Sequence, residues 1–240
     1  MALSDNLVSY WKFEGNSNDE LGGNNGTDTS ITYGSSYGKI DQGALFDAGG
    51  DKIDCASAGI PTGTSSRTFS AWVKLTGAVL VFVYGNGASA GQMMSLYMNT
   101  TNINMFGIAA DVNISNSSST GTWYHLVMTY NGTTVEIFKN GSSVGTGTPT
   151  LNTAASSTFT IGHDNGTWAG GGSSGNIDEL GVWSRVLSGT EISDLYNGGA
   201  GLAYPFTTTS IKTINGLAIA SVKTVNGLST ASVKTVNGLA

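Results

Sequence analysis

The chain has 240 residues, of which only 11% are charged and 35 are glycine. So sparse a charge excludes coiled coils and long surface helices, which need dense Glu, Lys and Arg. A net charge of -6 is too small for charge-driven disorder, and 10 Lys and Arg are too few to make a nucleic-acid backbone an expected partner.

The first strand signal is Leu7–Phe13. It runs into Glu14-Gly15-Asn16-Ser17-Asn18-Asp19, a segment dense in the carboxylate and amide oxygens that calcium takes. Asp19 has a second reading, as a cap on the Gly-rich loop through backbone N–H groups. Lys39–Phe46 is the next strand. Arg67–Leu75 alternates with period two, so that Phe69, Ala71, Val73 and Leu75 share one face. Thr68, Ser70, Trp72 and Lys74 occupy the other. Val79–Tyr84, Met93–Met98 and Ile103–Ile108 continue the series. Tyr84, Asn86 and Gln92 surround a Gly-rich loop, an aromatic beside amides, which reads either as a sugar site or as a turn aromatic folded back on the core.

Trp123–Tyr130 and Thr133–Lys139 flank Asn131-Gly132. Asn-Gly supplies the positive φ angles of a type I′ turn, so the pair predicts a β-hairpin. Asn140-Gly141 repeats the signal at the next corner. After Ser157–Ile161 comes a loop with Asp164, Asn165 and Trp168, a second sugar-site candidate. Tyr33 and Tyr37 mark a third Gly-rich loop. Asn176–Ser184 is the last strand of the series. Its Asp178-Glu179 pair, by alternation, faces opposite sides of the strand.

Ser188-Gly189-Thr190-Glu191 is a capping box, followed by the apolar stripe Ile192, Leu195, Tyr196 and the stop Asn197-Gly198-Gly199. A helix is predicted over 189–197, with the domain ending near Phe206. Residues 207–240 differ in kind. A period of 11 residues repeats Ser-(Ile/Val)-Lys-Thr-(Ile/Val)-Asn-Gly-Leu, beginning at Ser210, Ser221 and Ser232. β-branched residues favour strand and Asn-Gly a tight turn. Such a ribbon cannot bury its apolar side alone. Ile211, Ile214, Leu217, Val222, Val225, Leu228, Val233 and Val236 are therefore expected to pair with the globular domain, a second copy or another subunit. The alternative is a low-complexity linker.

Cys55 is the single cysteine, which excludes an intrachain disulfide. No run approaches the ~18 apolar residues of a membrane span, so membrane insertion is not expected. The segment Met1–Leu7 has neither the basic nor the apolar region of a secretory signal.

Four stretches together resemble the concanavalin A-like jelly-roll superfamily, in its laminin G-like, pentraxin-related branch. They are Leu7–Thr27, Gly43–Lys74, Trp123–Val135 and Gly175–Glu191. The resemblance implies an all-β antiparallel sandwich with one short C-terminal helix, to which the β-rich repeat tail is added. In related jelly rolls a structural cation ties the N-terminal segment to a carboxylate near the last strand. Carried over, this implies a calcium ion held by Glu14, Asn16 and Asp178, with Asp19 as an extra ligand. Catalytic relatives carry Glu-x-Asp-x-(x)-Glu on one strand, where a retaining glycosidase needs two carboxyls about 5–5.5 Å apart. No such run exists here, so no catalytic residue is assigned. His125 reads as a structural strand residue.

The tail resembles Asn-Gly-Leu-Ala repeat segments at the ends of tailed-phage virion proteins and some bacterial surface proteins. The expected function is a non-enzymatic carbohydrate-binding or adhesion module that contacts surface polysaccharide. It is displayed on a virion after assembly in the host cytoplasm, with the tail anchoring it or making a homo-oligomer. The alternatives are a structural virion or filament subunit without ligand, and a bacterial lectin secreted without a signal.

Overall fold

Arg67–Leu75 forms a strand over its whole predicted length, and alternation sorts its side chains between two layers. The computed structural model describes residues 1–164 and 172–206, and the backbone of 213–214, 217–218, 224–225 and 228–229. The chain divides into two units, Met1–Phe206 and Thr207–Ala240.

In the first unit the strands are β1 (Leu7–Trp11), β2 (Gly26–Thr29), β3 (Thr32–Gly34), β4 (Gly43–Phe46) and β5 (Lys52–Cys55). There follow β6 (Arg67–Leu75), β7 (Val79–Gly85), β8 (Met93–Met98), β9 (Asn102–Met105) and β10 (Val112–Ser115). The last are β11 (Trp123–Tyr130), β12 (Val135–Lys139), β13 (Ser142–Gly147), β14 (Phe159–Ile161) and β15 (Gly175–Trp183), before helix α1 (Gly189–Tyr196). One antiparallel sheet has the order β13-β12-β11-β6-β15-β4-β3, with β1 also paired to β15. The other runs β10-β9-β8-β7-β14-β5-β2. This is the expected jelly-roll sandwich.

The core lies between the sheets. Phe69 of β6 stacks on Phe82 of β7 with ring centroids 4.1 Å apart. Trp11 stacks on Phe159 at 5.5 Å. Each such ring removes a large apolar area from water, which supplies most of the folding free energy. The opposite face of β6 is buried as well. Trp72 lies against Tyr196 of α1, and Ile192 and Leu195 join Tyr10, Val127 and Trp183 in a second cluster. The capping box forms as predicted: Ser188 Oγ accepts the Glu191 N–H, and the Glu191 carboxylate accepts the Ser188 N–H.

The two Asn-Gly corners differ. β11 and β12 are paired from Tyr130 to Val135, so four residues intervene. There Asn131 Oδ1 accepts the N–H groups of Thr133 and Thr134, an Asx-type closure rather than the predicted type I′ turn. The two-residue turn with both φ angles positive is at Asn140-Gly141, between paired Lys139 and Ser142.

In the second unit Thr213–Ile214 pairs with Leu217–Ala218, and Thr224–Val225 with Leu228–Ser229. The same ladder therefore recurs at the same place in two repeats.

Candidate functional site

The edge strands β10 and β13 of the two sheets approach each other on one side of the sandwich. Gly145 and Gly147 of β13 face Ile114 and Val112 of β10, and a Cβ on Gly147 would stand 2.6 Å from Val112 Cγ2. Without side chains there, the edges can close.

Beyond the strand ends three loops are tied together. Gly91 N–H donates to the carbonyls of Gly107 (2.7 Å) and Ile108 (3.0 Å), and the Gly91 carbonyl accepts from Asn152 N–H (2.9 Å). Gly91 has φ +69°, and a Cβ there would overlap the Thr150 carbonyl oxygen. Ile108 and Ala109 are both left-handed, with φ 53° and 55°, a conformation uncommon outside glycine. Asp111 Oδ1 closes their loop by accepting the Gly107 N–H at 2.8 Å. Strain of this kind persists only where the surroundings over-determine it, and it concentrates at ligand sites.

These walls enclose a groove of about 580 Å³, lined among others by Ala109, Asp111, Asn113, Thr146, Thr148 and Thr150. Its size falls within the ~300–1,000 Å³ usual for ligand sites. A second depression of about 300 Å³ shares the Thr148–Thr150 segment and reaches Tyr130 and Thr133. Asp111, Asn113, Thr146, Thr148 and Thr150 are exposed. They present hydroxyls, one amide and one carboxylate along a fixed surface, which is hydrogen-bonding capacity suited to a polyol.

None of the groove residues was singled out in the sequence. The period-two spacing Thr146, Thr148, Thr150 beside Gly145 and Gly147 was the available signal. Tyr84 corrects an expectation: it is buried, its hydroxyl donating to the Pro61 carbonyl and accepting from Arg67 Nη1, so it offers no face to a sugar. Asn86 and Gln92 belong to the loop that carries Gly91. Asn86 Oδ1 accepts the Ala88 N–H and its Nδ2 donates to Gln92 Oε1 at 3.4 Å, so these amides close their own loop. Asp164 is buried, 3.7 Å from His163 Nδ1. Asn165 and Trp168 lie outside the described residues, as do Ile211, Val222, Val233 and Val236 of the tail. Ile214, Leu217, Val225 and Leu228 fall on the tail's short strands.

The expected calcium ligands do not converge. Asp19 is buried and accepts from the backbone N–H groups of Tyr10, Leu21, Gly23 and Asn24, which is the loop-cap reading. Asn16 is bonded to its own loop, accepting from Asn18 N–H. Glu14 accepts the Gln42 N–H at 3.2 Å, and Asp178 Oδ2 accepts those of Lys39 and Ile40. Among the described residues no three His, Cys, Asp or Glu are grouped as a metal site.

Glu179 is the residue that alternation misplaced. It has φ 52° at a register shift between Asp178 and Gly181, so the pair does not face opposite sides. Both its carboxylate oxygens are buried without a hydrogen bond of ordinary geometry, although the Tyr10 hydroxyl lies near. Burial pushes Glu179 up to about 8, with the charges of Glu14 and Glu20 adding to it. Burial and then the Glu179 charge raise Asp178 to about 8, against the backbone N–H groups that hold it down. His125 is driven the other way, to about 3, by burial. Its Nε2 lies 2.8 Å from Ser70 Oγ.

A family model described as "Concanavalin A-like lectin/glucanases superfamily" matches residues 47–193. No curated protein matches the chain in sequence. Domain 4 of AbnA, a GH43 extracellular arabinanase from Geobacillus stearothermophilus solved in complex with arabinotriose, is 23% identical with a TM-score of 0.65, over 78% of this chain and 97% of that one. The binding domain of Paraclostridial Mosquitocidal Protein 1 is 16% identical with a TM-score of 0.62, over 82% and 53%. A botulinum neurotoxin type C structure, whose subject is cell entry dependent on two ganglioside molecules, is 13% identical with a TM-score of 0.59, over 80% and 51%. The chain thus spans about half the length of these toxin structures. At such identities the likeness is one of fold.

Proposed function

The chain belongs to the concanavalin A-like lectin/glucanases superfamily, and on that footing we propose that residues 1–206 form a non-catalytic carbohydrate-binding module. The observation that carries this reading is the groove of about 580 Å³, walled by loops that the Gly91 hydrogen bonds hold in one arrangement. A site fixed before binding loses less entropy on taking up a ligand. The arabinotriose complex of the AbnA domain and the ganglioside dependence of the neurotoxin support the ligand class. Among the described residues Asp111 is the one carboxylate on the groove lining, where glycoside hydrolysis uses a pair.

The test is calorimetric titration of the full chain with arabinotriose and a broad glycan panel. Binding that is lost in Thr148→Trp, which fills the groove, supports the reading. Absence of binding across the panel, or binding unchanged by that substitution in a folded protein, overturns it.

The repeat tail supports a second element of the reading, attachment to other subunits on a virion or cell surface. Its β-branched residues and Asn-Gly turns, with ladders at the same place in two repeats, suit strand addition to a partner or a second copy. Loss of oligomers on deleting residues 207–240 supports this. An unchanged mass in solution contradicts it and leaves the surface role without an anchor. Calcium remains part of the proposal with an altered ligand set. The Glu179 carboxylate, buried without an ordinary hydrogen bond, would be the ligand that draws the ion in, and the ion's charge would stabilise it.

A further inference from the structure

We infer that the groove selects uncharged glycans and that Asp111 sets this selectivity. The inference rests on the carbohydrate-binding reading of the same groove and narrows its ligand class.

Asp111 is fixed rather than mobile. One carboxylate oxygen, Oδ1, accepts the Gly107 N–H at 2.8 Å. The residue is exposed on the groove wall. An ionised carboxylate is acceptor-only, and its hydrogen bonds to hydroxyl donors are stronger than neutral ones. A sugar hydroxyl can donate to it. Asn113 supplies both an amide donor and an acceptor, and Thr146, Thr148 and Thr150 supply hydroxyls that do either. Each polar type needed for a neutral polyol is therefore present.

A ligand carboxylate or sulfate meets the reverse situation. Among the described residues none that lines the groove is Lys or Arg. Lys139, on strand β12 next to β13, is committed elsewhere: it donates to Asn116 Oδ1 and to the Ser117 carbonyl and lies over the Tyr124 ring. An anionic group entering the groove would lose hydration without gaining a counter-charge. It would also face the Asp111 carboxylate. Like charges a few ångströms apart near a surface repel strongly enough to change affinity by about tenfold or more.

The experiment compares neutral oligosaccharides that bind the full chain with their uronic-acid counterparts of equal length, at low salt. Wild type is expected to bind the neutral members at least about tenfold more tightly. Asp111→Asn, which keeps an acceptor for the Gly107 N–H, is expected to narrow that ratio. Asn113→Asp is expected to widen it. Raising the salt should shrink the wild-type gap, because exposed charges are screened. Equal affinity for neutral and acidic glycans, or a ratio that neither substitution moves, overturns the inference while leaving glycan binding intact. Failure of every glycan to bind instead removes the carbohydrate reading itself and the selectivity with it.

Discussion

The backbone of Gly91 lies against the Thr150 carbonyl so closely that no Cβ fits between them. The contact joins two segments far apart in sequence into one groove wall. It also makes glycine obligatory twice over, since φ at Gly91 is +69°. Gly91→Ala is therefore expected to destabilise the domain by about 1–3 kcal/mol and to weaken glycan binding beyond what partial unfolding explains. Thermal unfolding and titration on the same sample check both. Unchanged binding in a folded variant would show that this wall does not shape the site.

Glu191 joins the helix cap to the N-terminal segment. Its carboxylate takes Arg185 in a bidentate pair, at 2.9 and 2.6 Å, while Arg185 also donates to the carbonyls of Asp5 and Ala2. The Arg185 hydrogen bonds hold the Glu191 carboxyl down at about 2. Glu191→Ala leaves a largely buried guanidinium unpaired and is expected to cost about 3–5 kcal/mol. Glu191→Gln keeps the cap geometry but loses the charge, so its cost should be smaller. Denaturant midpoints for the two variants test the order. If both cost the same, the charge accounts for the whole effect and the neutral cap geometry adds nothing.

What could be read in the sequence, and what could not, follows from how each element is stabilised. β6 and β11 sit in the middle of a sheet, and their alternation or apolar run is written into the residues themselves. The Ser188 cap is equally local. β13 reads Ser-Ser-Val-Gly-Thr-Gly, and nothing in that string signals a strand. It is ordered by the pairing of β12 and by the fit of Gly145 and Gly147 against β10, both tertiary facts. The groove is built from that contact, so its residues carried no signal beyond the period-two threonines, whereas Asn86 and Gln92 sat beside an evident Gly-rich loop. Glu179 failed differently. Strict alternation assigned it a face, and a single left-handed residue in the middle of β15 moved it.

His125 gives a pH dependence with a definite sign. Burial lowers its pKa to about 3 in the fold, while an unfolded His titrates near 6.5. The unfolded chain thus takes up a proton that the folded chain refuses. The stability tied to neutral His125 is complete above about pH 6.5 and is lost as pH falls, at about 1.4 kcal/mol per pH unit towards 3. His125→Gln keeps a group able to bond Ser70 and does not titrate. Between pH 6.5 and 5 the wild type should lose stability relative to this variant along that slope. Parallel stability curves would show that the imidazole is already protonated or solvated in the fold.

Calcium separates two carboxylates, Asp19, which the sequence offered as a ligand, and Glu179, which it did not. Asp19 has its oxygens occupied by four backbone N–H groups, so it is complete without an ion. Glu179 has two buried oxygens and no ordinary hydrogen bond to either. A buried polar atom left in this state costs about 1–3 kcal/mol, more when charged, and a cation would recover that cost. Millimolar calcium is therefore expected to raise the unfolding temperature of the wild type by several degrees, and a chelator to reverse it. Glu179→Gln should abolish the response. Asp19→Asn should lower the starting temperature, because its loop loses charge-assisted bonds, yet keep the calcium shift. An unfolding temperature indifferent to calcium would leave Glu179 as a protonated structural residue beside Tyr10. A shift lost in Asp19→Asn but kept in Glu179→Gln would return the ion to the N-terminal loop.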